Sequence, residues 1–171
     1  MLTALRQVAR GGEPTISSVS AAAGVTRATF YNHFESLEEA AWLAMAESFE
    51  RLLDDDGTAR RGGSAPDLVG VESLRRVVEL LRVDGELVRI ADGHRTPSTL
   101  AGVADIVLGT VRRFRADFGP PSGEEAASED VYIASGLYGV LVTGARSGRD
   151  AAQVATSAYA LLPGWMRKPS R

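Results

Sequence analysis

The stretch Thr15–Glu39, TISSVSAAAGVTRATFYNHFESLEE, constrains the fold more than any other part of the chain. Ile16, Val19 and Ala23 recur at helical spacing, so one short helix can bury a single face. Gly24 follows. Glycine enters the left-handed backbone region without a steric penalty, which suits it to a turn that ends a helix. Val25 can fill the space between this helix and the next. Thr26 is placed to cap that second helix, its hydroxyl accepting an orphan backbone N–H. The second helix is expected to run to about Phe34, with Phe30 and Phe34 as inward anchors. Arg27, Ala28, Thr29, Tyr31, Asn32 and His33 then face outward or sideways. A short helix with apolar anchors and a polar outer face, set after a small-residue turn, is what a helix-turn-helix DNA reader requires.

The same residues carry a family resemblance. AGVTRATFYNHFESLEEA resembles the signature of TetR/AcrR-type transcriptional regulators. In order it has alanine-glycine-valine, a threonine cap, phenylalanine-tyrosine-x-histidine-phenylalanine, and a serine opening an acidic helix start. The match covers about Ile16–Leu43, and beyond Leu53 it is architectural only. The resemblance implies an all-α fold with a three-helix DNA-binding domain at residues 1–36. A helical regulatory and dimerisation domain at 37–171 would follow, with helix four, about 37–53, connecting the two. It further implies a homodimer built from the last two long helices as a four-helix bundle. Such a dimer would bind a palindromic operator in double-stranded DNA and act as a repressor. A small-molecule effector would move helix four and spread the readers apart.

By that resemblance Tyr31 and His33 match positions that touch phosphates, and both side chains offer suitable donors. Thr15 can cap the preceding helix and also donate to a phosphate, and it is grouped with Thr26 among the DNA-facing residues. Arg27 can bond guanine in a bidentate manner, Asn32 can pair with adenine, and Ala28 or Thr29 can meet a thymine methyl. Two positions depart from the family pattern. Leu37 stands where a lysine is frequent, and Ser17 where an arginine is frequent. No basic arm precedes the first helix. Each missing cation removes salt-dependent affinity.

A chain of 171 residues with net charge −3 fits one or two domains with a buried core. The acidic balance does not exclude DNA, because the patch facing the phosphates decides binding. Arg6, Arg10 and Arg27 lie within the first 34 residues against Glu13. Cysteine is absent, which removes disulfides and thiolate metal sites. There is no signal-peptide pattern and no bilayer-length apolar run, so a cytoplasmic protein without membrane contact is the expectation. No cofactor and no metal is expected.

Helical period runs almost throughout. Leu2, Leu5, Val8 and Ala9 line a first helix ending at Gly11-Gly12. Ser36 with Glu39 reads as a capping box for helix four, which would carry Leu37, Ala41, Ala44, Met45, Phe49 and Leu52 inward. Asp54–Ala65, DDDGTARRGGSA, reads as a flexible connection, its acidic run a solvated helix end. One or two helices follow from Pro66 to Ile90. Thr96-Pro97 reads as a helix start, leading a face of Leu100, Val103, Val107, Val111, Phe114 and Phe118. Val131–Ala145 is apolar nearly all round, so it needs burial on more than one side. Gly136, Gly139 and Gly144 permit close helix approach there. Asp150 can cap a final helix with Val154, Ala158, Leu161, Leu162 and Trp165. The dimer surface is expected at Val131, Leu137, Gly139, Val140, Thr143, Ala158, Leu162 and Trp165. Phe49, Leu81, Val107, Phe114 and Tyr138 are candidate effector-pocket lining, with His94 and Arg95 at its entrance. The same spacing also suits plain core.

An enzyme reading finds no support in motifs: neither GxSxG, HExxH nor GxxxxGK occurs. A second class stays open, a helical protein–protein adaptor with a weakened helix-turn-helix and no specific operator.

Overall fold

Three short helices and the start of a fourth form the N-terminal cluster in the computed structural model, which describes residues 1–94, 100–120 and 123–167. Helix α1 (Leu2–Gly11) buries Leu5 and Ala9, α2 (Ile16–Ala22) buries Val19, and α3 (Arg27–Tyr31) buries Phe30. The α3 helix is shorter than its sequence suggests. Asn32 is its C-cap, and the His33 and Phe34 N–H groups both donate to the Phe30 carbonyl, each at 3.0 Å. This tightened last turn still brings Phe34 to 5.2 Å from Phe30, ring centroid to centroid. Both anchors therefore work although the helix stops early.

Helix α4 (Leu37–Arg61) is 25 residues long and overturns the expected flexible connection after Leu53. The acidic run lies inside the helix. Asp54 pairs with Arg113 at 2.8 Å, Asp55 with Arg76 at 3.3 Å, and Asp56 with Arg60 at 3.0 Å. These pairs offset the roughly 1 kcal/mol that a helical glycine such as Gly57 costs. Arg60 and Arg61 occupy the last turn, where cations favour the helix dipole. Ala41, Ala44, Met45 and Phe49 are buried as expected, while Leu37 and Leu52 are only partly covered.

Helices α5 (Pro66–Val83) and α6 (Gly85–Ala91) are split at Asp84, and α7 spans Gly102–Phe118. The expected start at Thr96-Pro97 falls outside the described residues. The described helix begins at Gly102 from an uncapped Ala101, so Leu100 precedes it. Trp42 of α4 donates its indole N–H to the Gly102 carbonyl at 3.1 Å. Helix α8 (Glu124–Arg146) starts before Val131, and α9 (Ala151–Leu161) is capped by Asp150, which accepts from the Gln153 N–H at 3.0 Å. The last helix is not continuous through Trp165. Pro163 pushes Leu162 into an extended conformation (φ −68°, ψ 148°), and α10 (Gly164–Arg167) carries Trp165 separately. The most extensive pairings are α5 with α9 and α7 with α8. Gly144 permits the α8–α9 approach: a Cβ there would lie 2.4 Å from Val154 Cγ1. The chain is all-α, with no strand among the described residues, and no helix among them is long and apolar enough to cross a membrane.

One charged cluster sits inside this core. Arg115 is almost fully buried, donates to Asp130 at 2.7 Å and to Glu129, and lies 4.4 Å from the Trp165 ring centroid. The hydrogen bond from Arg115 holds the Glu129 carboxyl below the usual carboxylate range. Removing one partner of a buried pair leaves the other uncompensated, at about 3–5 kcal/mol. Arg115→Leu is therefore expected to destabilise by about that amount in urea unfolding, and adding Asp130→Asn is expected to restore much of it. Equal stability of Arg115→Leu and the parent would contradict this.

Candidate nucleic-acid interface and interior cavity

The helix-turn-helix is set by its caps. Thr15 Oγ1 accepts the Ser18 N–H at 3.1 Å while Ser18 Oγ accepts the Thr15 N–H at 2.9 Å, a reciprocal box. Thr26 Oγ1 accepts the Thr29 N–H at 3.1 Å. Gly24 has φ +67°, in the left-handed region that an L side chain resists. Ser36 Oγ accepts the Glu39 N–H at 3.1 Å. The Glu39 carboxylate reaches the Glu35 N–H rather than that of Ser36, so the box expected there closes one residue early.

These caps and the buried Phe30 orient the nominated reader residues. Thr15, Thr26, Arg27, Ala28, Tyr31, Asn32 and His33 are exposed, and Thr29 is half-buried. Tyr31 is 51% exposed and meets Phe30 edge-on, with centroids 5.8 Å apart. Its ring is thereby steadied and its hydroxyl left at the surface.

The expected basic patch is smaller than the sequence count suggests. Arg6 donates to the Ala44 carbonyl, to Glu47 at 3.1 Å and to Ser48 at 3.3 Å. Arg10 donates to the buried Asp84 at 2.9 Å. Arg6 is largely covered where it ties α1 to α4, whereas Arg10 reaches Asp84 between α5 and α6 with more than half of its side chain still exposed. Arg89 adds a bridge between Glu13, at 3.3 Å, and Glu86, at 2.6 Å. Arg27 has no intramolecular partner among the described residues.

A half-open cavity of about 100 Å³ lies among α4, α5, α7, α8 and α9. Phe49, Val107 and Phe114, nominated from the sequence, line it together with Leu74, Val111 and Leu141. Three expected residues do not. Leu81 is buried elsewhere in the core. His94 sits against Trp42, with ring centroids 5.6 Å apart. The Tyr138 hydroxyl donates to the Asp92 carboxylate, 2.8 and 2.9 Å from its oxygens. Arg95 lies outside the described residues. The polar groups around the cavity went unnoticed in the sequence: Asp56, Arg60, Ser73, Thr110 and Tyr159. Only the i,i+4 spacing of Asp56 and Arg60 pointed to them.

The surface of α8 and α9 sorts the dimer candidates. Gly139 and Thr143 are exposed, and Val131, Leu137, Val140 and Leu162 are half-buried. Two expectations are corrected. Ala158 is buried within the chain, and Trp165 packs on Phe114 and Arg115 and donates to Glu129 at 3.2 Å. Tyr132 and Leu161, which sequence reasoning did not place on this surface, are 80% and 74% exposed beside an apolar groove between the two helices. Gly136 and Gly139 have no atom within 4 Å of where a Cβ would stand. They permit no approach within the chain, unlike Gly144.

Tyr159 gives a pH test of the cavity wall. Its hydroxyl lies 2.8 Å from Asp67 Oδ1 and 2.9 Å from the Arg167 carbonyl. Burial first, and then the Asp67 hydrogen bond, push its phenol from 10 up to about 12. The folded pKa is raised, so this contribution is complete below the unfolded value and is lost as pH rises through the folded one. Stability is expected to fall between about pH 10 and 12, less steeply in Tyr159→Phe. Burial raises the Tyr138 phenol as well, so Tyr138→Phe added to Tyr159→Phe should flatten the profile further. Urea unfolding across that window, with identical slopes in all three proteins, would refute it.

Comparison with protein-family models, with curated proteins and with solved structures finds no match to this chain.

Proposed function

We propose that the chain is a TetR/AcrR-type transcriptional regulator, a ligand-responsive repressor that binds a palindromic operator as a homodimer. The observation that carries the reading is α3. It is capped by Thr26 and pinned by Phe30, and it leaves Arg27, Ala28, Tyr31, Asn32 and His33 exposed together. Arg27 and Asn32 suit guanine and adenine edges in the major groove, and Tyr31 and His33 suit phosphates. Dimerisation is supported by the uncovered apolar groove with Tyr132 and Leu161 beside it, since a two-fold pair is the commonest way to cover such a surface. The proposed effector cavity adjoins α4, the helix that also packs on α1. A ligand that prefers the spread state would lower operator affinity through α4, by a usual coupling of about 5–150-fold.

One observation favours a second reading, a protein–protein adaptor. With Leu37 in place of a cation, and Arg6 and Arg10 each already paired with a carboxylate, the surface around α3 offers little uncompensated charge to phosphates. The two readings separate in a binding selection on random duplexes at moderate salt. The regulator recovers a symmetric motif with half-sites about 34 Å apart or a multiple of it, and the adaptor recovers none.

Within the regulator reading, Tyr31→Phe and His33→Ala are expected to weaken binding almost evenly across sequences. Arg27→Ala and Asn32→Ala are expected to change the preferred sequence, at about 1–3 kcal/mol per lost bidentate contact. Unaltered selection by Arg27→Ala would count against a base contact. Gly139→Glu is expected to leave the fold intact, since open space surrounds that position, while shifting sedimentation from dimer to monomer. A parent chain already monomeric at micromolar concentration would end the dimer proposal.

A further inference from the structure

The outward face of α8 carries a repeat that the described residues leave open. Glu129, Tyr132, Gly136, Gly139, Thr143 and Arg146 follow one another at alternating steps of three and four residues, the spacing of a seam between two packed helices. Tyr132 is 80% exposed, and Gly136, Gly139, Thr143 and Arg146 are exposed as well. Tyr132 and Gly136 also line the apolar groove between α8 and α9, so the seam is continuous with that groove. Helix backbones can approach most closely where a seam carries no side chain, which here is its centre.

Charge decides what fits and in which direction. At the N-terminal end of the seam Arg115 answers two carboxylates, Asp130 and Glu129, and the Glu129 side chain is still 41% exposed. Glu125, one turn earlier, is exposed too. That end carries surplus negative charge. At the other end Arg146 enters no ion pair among the described residues. A second α8 laid parallel would set carboxylates against carboxylates and Arg146 against Arg146. An antiparallel one sets each end against its opposite, and such complementarity fixes orientation and register.

The register follows from symmetry. Glu129 and Arg146 stand equally far along the chain from the midpoint between Gly136 and Gly139, and so do Tyr132 and Thr143. One two-fold axis through that midpoint therefore matches every position of the seam at once. The glycines meet at the crossing point. Tyr132 comes beside the partner's Thr143, and Glu129 beside the partner's Arg146, about 13 Å along the helix from the axis at 1.5 Å per residue.

We infer that this face takes a second copy of the chain with its α8 antiparallel, the two-fold axis passing between Gly136 and Gly139 and Glu129 pairing with the partner's Arg146. The inference rests on the dimer part of the proposed function and supplies its orientation and register.

The test exploits the absence of cysteine, since introduced thiols then report alone. In this register Tyr132 and the partner's Thr143 come within reach of a disulfide, whereas either position lies about 16 Å along the helix from its own copy. The double variant Tyr132→Cys with Thr143→Cys is expected to give a covalent dimer on mild oxidation, and each single variant none. In sedimentation at low salt, Arg146→Glu is expected to raise the dimer dissociation constant about tenfold, because an ion pair is replaced by a repulsion at both ends. Adding Glu125→Arg is expected to recover most of that loss, and the difference is expected to shrink as salt is raised. All these positions are exposed, so the variants leave the packing of the chain untouched. Self-linking of Tyr132→Cys alone indicates parallel helices and overturns the inference. A dimeric parent whose double variant does not link, or whose dissociation constant Arg146→Glu does not move, overturns it as well while leaving the dimer itself standing. A parent monomeric at micromolar concentration removes the dimer reading and this pairing together.

Discussion

One uninterrupted helix joins the two halves of the molecule. Helix α4 packs on α1 of the N-terminal cluster and on α5, α6 and α7 beyond it, while α8 is carried by α5 and α7 and α9 by α5 and α8. At 25 residues it is about 37 Å long at 1.5 Å per residue. The alanines Ala40, Ala41 and Ala44 are buried along it, and their small side chains let neighbouring helices approach closely. Farther along, Phe49 and Arg60 face the interior cavity. The cavity and the N-terminal cluster thus share one packing element.

Polar locks reinforce this packing. Arg6 reaches the backbone and side chains of α4, and Arg10 reaches Asp84 where α5 gives way to α6. Asp84 is buried while Arg10 is about half exposed, so the pair lies at the edge of the packed interior with its cationic side open to solvent. The same arginines that a charge count assigns to DNA therefore fasten α1 to the rest of the chain. In an arginine-rich, nearly lysine-free sequence, this preference is physically reasonable, since a planar guanidinium can serve several acceptors in fixed geometry.

What could be read from the sequence was local. The Thr26, Ser36 and Asp150 caps, the Gly24 turn and the Phe30 anchor depend on residues within a few positions of one another, and all stand where the pattern put them. What could not be read was tertiary. The DDDG run looks like a helix end until Arg76 and Arg113 arrive from other helices to pair with Asp55 and Asp54. Likewise Trp165 looks like a surface residue of a long last helix until it is found stacked on Arg115. Pro163, which ends α9 one turn before Trp165, is a local signal of that break. At the candidate reader, sequence gave the residue types and their exposure. It could not tell which cations were free, because Glu47 and Asp84 lie far along the chain from Arg6 and Arg10.

The brevity of α3 has a consequence for its dynamics. Five residues are far below the length at which a helix persists in water by itself, because the first turn fixes several dihedrals for one hydrogen bond. The exposed face of α3 thus has no helicity of its own to fall back on. Its shape is lent by Phe30, which is wholly enclosed by the cluster beneath it. Opening of α3 is therefore coupled to loosening of the α1–α4 packing, and amide exchange in α3 reports the integrity of that whole cluster instead of a local fraying equilibrium.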